Sequence, residues 1–175
     1  MKSALVLIAD GIDRTNAAIG RAAAWCGLFV VAVEFAIVVM RYALGVGSIA
    51  LQESVLYAAA ALFMLSAAWT LQVGGHVRLD VFYETAKPRT RAFVNLFGAL
   101  VFLIPFAVLL ADLSIPYAAR SWAILERSRE TSGLPFTYLL KTLIPVFAIL
   151  IGLQGVAQVI RAAFVLAGPV APSSR

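Results

Sequence analysis

The sequence predicts an all-α integral membrane protein of four transmembrane helices, and three observations predict it. Of its 175 residues, 62% are hydrophobic and 13% charged, whereas a soluble domain carries about 25% charged residues. Four apolar stretches, at 22–40, 54–73, 92–111 and 142–160, reach the roughly 20 residues that a helix needs to cross a bilayer. These runs are continuous and rich in Ala, Leu and Val, whereas the strands of a membrane β-barrel are short and alternate polar with apolar. The expected organisation is one four-helix domain over residues 1–168, with no separate soluble domain, and a disordered tail at 169–175.

Taken in order, the N-terminal segment comes first. Its apolar run ALVLIA (4–9) ends at Asp10 and is too short for the core of a signal peptide. Leu5, Ile8, Ile12 and Ile19 recur near helical spacing among Asp10, Asp13, Arg14 and Arg21. That pattern predicts a short amphipathic helix in the membrane plane, leading into the first span. Cys26, the sole cysteine, lies in that span, so a disulfide within the chain and a C-x-x-C redox pair are both excluded.

Gly45 and Gly47 break the chain after span one. Glu53 stands where span two begins, as a carboxylate complementing the positive helix end or as a subunit contact. Gly74 and Gly75 close span two, as glycine commonly does just past a helix. Pro88 suits the first turn of span three, and Pro105 and Pro145, inside spans three and four, predict kinks. Between them, 112–141 predicts an extension of span three to about Ser128, a turn at Ser132-Gly133 and a restart at Pro135. Tyr117, Trp122, Phe136 and Tyr138 suit an aromatic belt at the membrane surface.

Lys and Arg set the orientation. Nine flank the side that bears both termini and the 74–91 loop, against five on the other, so both termini are expected in the cytoplasm. The net charge of +5 is mostly this signal. No basic stripe interleaved with aromatics points to nucleic acid.

The polar residues are few. His76 is the only histidine and, with Arg78 and Asp80, forms a compact trio. A zinc site needs three or four ligands and a bis-histidine haem needs two histidines, so the trio reads as the fastening of an inner loop. Glu34 lies a little past the midpoint of the first run. An ionisable group there costs a few kcal/mol and is a functional candidate by default, either for proton-coupled export or for a contact with a basic group of a partner subunit. Arg41, seven residues on, is ~10 Å away along a helix, too far for a good direct pair. Gln154 and Gln158 share a helix face and, as amides among apolar residues, predict packing against another helix of this chain or a partner. Ala58–Ala61, Ser66, Ala67 and Ala68 permit close helix approach in span two.

Several of these pieces fall into one pattern: Arg41-Tyr42 after span one, Gln52-Glu53 opening span two, Gly75-His76-Val77-Arg78-Leu79-Asp80 after it, and Pro135, Pro145 and Leu153-Gln154-Gly155 around span four. In order and spacing, from about residue 10 to 166, the chain resembles the DctQ-like small membrane subunits of tripartite ATP-independent periplasmic (TRAP) transporters. Ala50 departs from the pattern, since a Trp often stands there, and Glu34 matches no family position. The Ser-Ile-Ala-Leu-Gln-Glu version is similar to the branch grouped with organic-acid carriers.

The resemblance implies a subunit without enzymatic activity or cofactor, in the bacterial inner membrane. It would brace a large multi-span membrane subunit and help dock a periplasmic substrate-binding protein for sodium-coupled carboxylate uptake. The candidates for the subunit interface are Glu34, Gln154 and Gln158, as polar groups within apolar spans, with Arg41 and Glu53 at the span ends. Arg120, Glu126, Arg127, Arg129 and Glu130 become candidates for docking the binding protein. Two other classes compete: a free-standing proton-coupled exporter using Glu34, and a membrane anchor of a respiratory enzyme.

Overall fold

The computed structural model describes residues 2–76 and 86–168. Arg78, Asp80 and the 169–175 tail lie outside them. The described residues are helical with no strand: α1 (Lys2–Ala43), α2 (Ile49–Gln72), α3 (Pro88–Gly98), a π-helical turn (Ala99–Leu103), α4 (Ile104–Ala123) and α5 (Thr137–Ala167). With α3 and α4 running through the π turn as one, four helices are long and apolar enough to cross a membrane. Large apolar side chains stand exposed along them, among them Trp25 at 73%, Phe35 at 70% and Phe63 at 76%. Water would not tolerate that surface; hydrocarbon or a partner helix accepts it.

Each helix outruns its apolar run, because hydropathy marks the part in hydrocarbon while backbone hydrogen bonding continues beyond it. The difference is largest in α1. The sequence predicts a separate in-plane helix before the span, but α1 is one uninterrupted helix of 42 residues, about 63 Å long at 1.5 Å per residue. No proline interrupts it, and its first turns are held on α5 by polar contacts.

Caps set the other limits. Ser48 accepts from the Leu51 N–H at the start of α2. This corrects the cap expected of Glu53, which lies a turn further in. After α2, Gly74 takes φ +70°. Its N–H reaches Leu71 O at 3.2 Å and that of Gly75 reaches Thr70 O at 2.8 Å, the paired bonds of a Schellman motif. The same motif ends α4, three residues after Arg120 rather than near Ser128. Leu125 takes φ 45° and donates to Trp122 O at 3.1 Å, and Glu126 N–H donates to Ser121 O at 3.0 Å. Pro88 does open α3. At Pro105 the ladder changes pitch: the π turn ends just before it, and Ile104 N–H bonds back to Ala99 O. The missing proline donor and the crowding of its ring against the preceding turn favour such a bulge. Pro145 is buried inside α5, which remains one helix through it.

Helix α5 is the spine. Antiparallel to it run α3–α4, with Leu103 and Ile104 against Gly155 and Ala107 against Gly152. Parallel to it runs α2, whose Tyr57 hydroxyl donates to Thr137 Oγ1 at 3.4 Å. Helices α1 and α2 are antiparallel, and at Gly20 an added Cβ would lie 2.6 Å from Trp69 Cβ. Small residues therefore sit where backbones come closest, which is how helices associate without a hydrophobic drive between them. The start of α1 and the end of α5 share one end of the bundle, here the terminal end. The links 44–48 and 124–136 share the other, the loop end.

Candidate functional site

Polar side chains gather at the two ends of this bundle and leave its middle to apolar packing. At the terminal end, Asp10, Asp13 and Asn16 lie on one face of α1, spaced by one helical turn, and meet Gln154 and Arg161 of α5. Asn16, 1% exposed, donates from Nδ2 to Gln154 Oε1 at 2.7 Å. Gln154, 2% exposed, donates from Nε2 to Asp13 Oδ1 at 2.9 Å. Arg161 Nη2 donates to Asp10 Oδ1 at 2.9 Å and also to Asp13 Oδ2. The chain of bonds joins the first and last helices and fixes their register. Gln154 thus spends both ends of its amide inside the chain. Gln158, one turn on, is half-buried and faces a cleft between α3 and α5.

At the loop end, Glu53 is also engaged within the chain. Its Oε2 accepts the Leu134 N–H at 2.6 Å and its Oε1 accepts the Ser128 hydroxyl, so α2 clamps both arms of the 124–136 link. Glu126 clamps the same link from the other side. Its Oε2 accepts Lys141 Nζ at 2.5 Å and Ser121 Oγ at 2.7 Å. The hydrogen bond from Lys141, then that from Ser121, holds the Glu126 carboxyl below the usual carboxylate range. Lys141 Nζ also lies 4.3 Å above the Tyr117 ring. Trp122 donates to Thr142 Oγ1 at 2.8 Å and packs on Tyr138 at 4.5 Å between ring centroids, with Phe136 beyond. Three of the four aromatics expected at a membrane surface, Trp122, Phe136 and Tyr138, therefore pack together, and Tyr117 is joined to the same end through Lys141.

Around this clamped link, Arg120, Arg127, Arg129 and Glu130 point outward and are exposed. They form a rigidly carried, mostly basic rim. His76 is exposed beside the Schellman cap of α2; its expected partners Arg78 and Asp80 fall outside the described residues. Glu34 and Arg41 are exposed on α1, and among the described residues none pairs with Glu34.

The sequence missed the role of Asn16, Asp10, Asp13 and Arg161. The i, i+3, i+6 spacing of the three α1 residues was the available signal. It marks one polar helix face and does not say what that face meets.

A family model for the DctQ component of tripartite ATP-independent periplasmic transporters matches residues 19–165. No curated protein and no solved structure matches the chain.

Proposed function

The chain belongs to the DctQ family, the small membrane components of tripartite ATP-independent periplasmic transporters, and from that premise we propose that it is a non-transporting scaffold. In this reading it sits in the bacterial inner membrane with both termini cytoplasmic, as the Lys and Arg distribution favours. A large multi-span subunit carries the substrate, an organic acid moved with sodium. A periplasmic binding protein delivers that acid and rests partly on the rim of Arg120, Arg127, Arg129 and Glu130. Glu53 and Glu126 act one step behind, holding the link that presents the rim.

The observation that carries the scaffold reading is the exposed face of α1. Trp25, Leu28, Phe35, Val39 and Tyr42 are 73%, 62%, 70%, 42% and 83% exposed. Their spacing follows the 3.5-residue repeat with which helices interlock. Glu34 is exposed on the shoulder of α1 beside Val31 and Val38, about 100° round the helix from Phe35, with Arg41 on the same side. An acidic side chain facing lipid at the centre of a helix costs about 2.5–3.5 kcal/mol. A helix of the large subunit offering a hydrogen-bond donor removes that cost. Exposure of Glu34 on the outside of the bundle supports such a contact over an internal proton path, which the exporter reading needs.

The test compares two substitutions. Glu34→Gln keeps a hydrogen-bonding side chain and is expected to preserve the complex and its transport. Glu34→Leu leaves the partner's donor unanswered and is expected to lower the amount of large subunit that co-purifies. Loss of transport in Glu34→Gln with the complex intact would instead make Glu34 a proton carrier and overturn the scaffold role.

A further inference from the structure

Pro105, Pro116 and Pro145 lie inside α4 and α5. Each deprives the carbonyl four residues before it of its usual donor. Pro116 does this to Asp112 and Pro145 to Lys141, which stand just past the third apolar run and just before the fourth. Both carbonyls are at the loop end, within reach of water. Pro105 instead strips Val101, in the middle of the third run. The π turn strips its neighbour as well. Ile104 N–H bonds to Ala99 O and not to Leu100 O. Pro105, next in line above Leu100 O, has no N–H to give. Among the described residues no side chain donates to Leu100 O either.

Position narrows what can answer that oxygen. Leu100, Val101 and Pro105 are all exposed, so it lies on the outer flank of the helix. The α5 contact is made by Leu103, Ile104 and Ala107 instead. Acyl chains offer no donor, and a backbone group left bare in hydrocarbon is costly. Water and headgroups are about 15 Å away, half the thickness of the core. A second copy meeting this face with its own brings no donor, as a two-fold contact pairs identical surfaces. The residues exposed around it, Phe97, Leu100, Val101, Phe102, Phe106 and Leu109, are all apolar. The remaining source is a polar side chain on a helix of another protein, the usual way in which a membrane helix with a broken ladder is satisfied.

We propose that the outer flank of α4 and its π turn seats a transmembrane helix of the large subunit, one of whose side chains donates a hydrogen bond to Leu100 O. A hydroxyl, amide or indole N–H at mid-membrane fits. The contact rests on the scaffold reading, which supplies the large subunit. To the stripe on α1 it adds a second seat on a different helix.

The test combines photo-crosslinking in native membranes with pull-downs of proline variants. The photoreactive residue p-benzoylphenylalanine, placed at position 101, is expected to give an adduct with the large subunit, identified by mass spectrometry. Pro105→Ala restores an N–H beside Leu100 O and Val101 O. The isolated variant is expected to keep or gain thermal stability, while several-fold less large subunit co-purifies with it. Pro116→Ala, the same change at the water level, is expected to leave that yield as it is. A wild-type pull-down without the large subunit would remove the scaffold reading and this seat with it. If the wild type does bring the large subunit down, two results would overturn the seat alone: no adduct from position 101, or an unchanged yield in Pro105→Ala. An adduct with a second copy of the chain in place of the large subunit would overturn it as well.

Discussion

Leu125 holds a left-handed backbone at φ 45°, a conformation that costs a non-glycine residue about 1–2 kcal/mol. It is tolerated because the Schellman bonds of α4 and the Glu126 clamp fix the residues around it. Leu125→Gly is therefore expected to raise the melting temperature in detergent by a few degrees, a change that differential scanning fluorimetry resolves. A fall would mean that the exposed leucine makes a contact worth more than its strain. Glu126 gives the same link a pH dependence. Its carboxyl is held low in the folded state by Lys141 and Ser121. The stability it contributes is present above the unfolded carboxylate value and is lost as pH falls through the lowered folded one. Protection from hydrogen exchange in 124–136, taken relative to the intrinsic rate at each pH, is expected to be high near neutrality and to fall only below the ordinary carboxylate range. Glu126→Gln is expected to be less protected at neutral pH and to lose most of that dependence of protection on pH.

Among the elements, α1 shows best what was legible in the sequence and what was not. Its apolar run, its end at the glycines and the glycine stop of α2 follow from composition and local backbone chemistry, which neighbouring residues determine. The continuity of α1 from residue 2 does not, because it depends on Asn16, Asp13 and Asp10 meeting Gln154 and Arg161, more than 130 residues away. The early end of α4 was hidden for a different reason: leucine is a poor signal for a left-handed cap, and side chains from α4 and α5 are what sustain it. Glu53 was read as a helix-start residue from its position, while its partners lie in a loop 75 and 81 residues on.

Packing between elements yields its own prediction. Gly20 leaves no room for a side chain against Trp69, so Gly20→Leu is expected to force α1 off α2, at 1–3 kcal/mol or more for overpacking. Thermal unfolding of Gly20→Leu alone and combined with Trp69→Ala forms a cycle. Partial rescue in the double variant is expected, and strict additivity would show that the two helices do not meet there.

For the whole molecule, the described structure is a bundle whose polar groups tie its own helices together at the ends, while its apolar flank on α1 faces outward. That arrangement suits a static brace better than a moving carrier. Purified alone in liposomes, the chain is expected to show no sodium-driven uptake of any organic acid, measured with radiolabelled carboxylates under an imposed sodium gradient. The measurement that bears most directly on the scaffold role is simpler. It is a pull-down of the tagged chain from its native membranes in mild detergent, with mass spectrometry of what accompanies it. The account predicts a stoichiometric, much larger multi-span protein, retained in Glu34→Gln and diminished in Glu34→Leu. A chain that returns alone, or only with copies of itself, would contradict it.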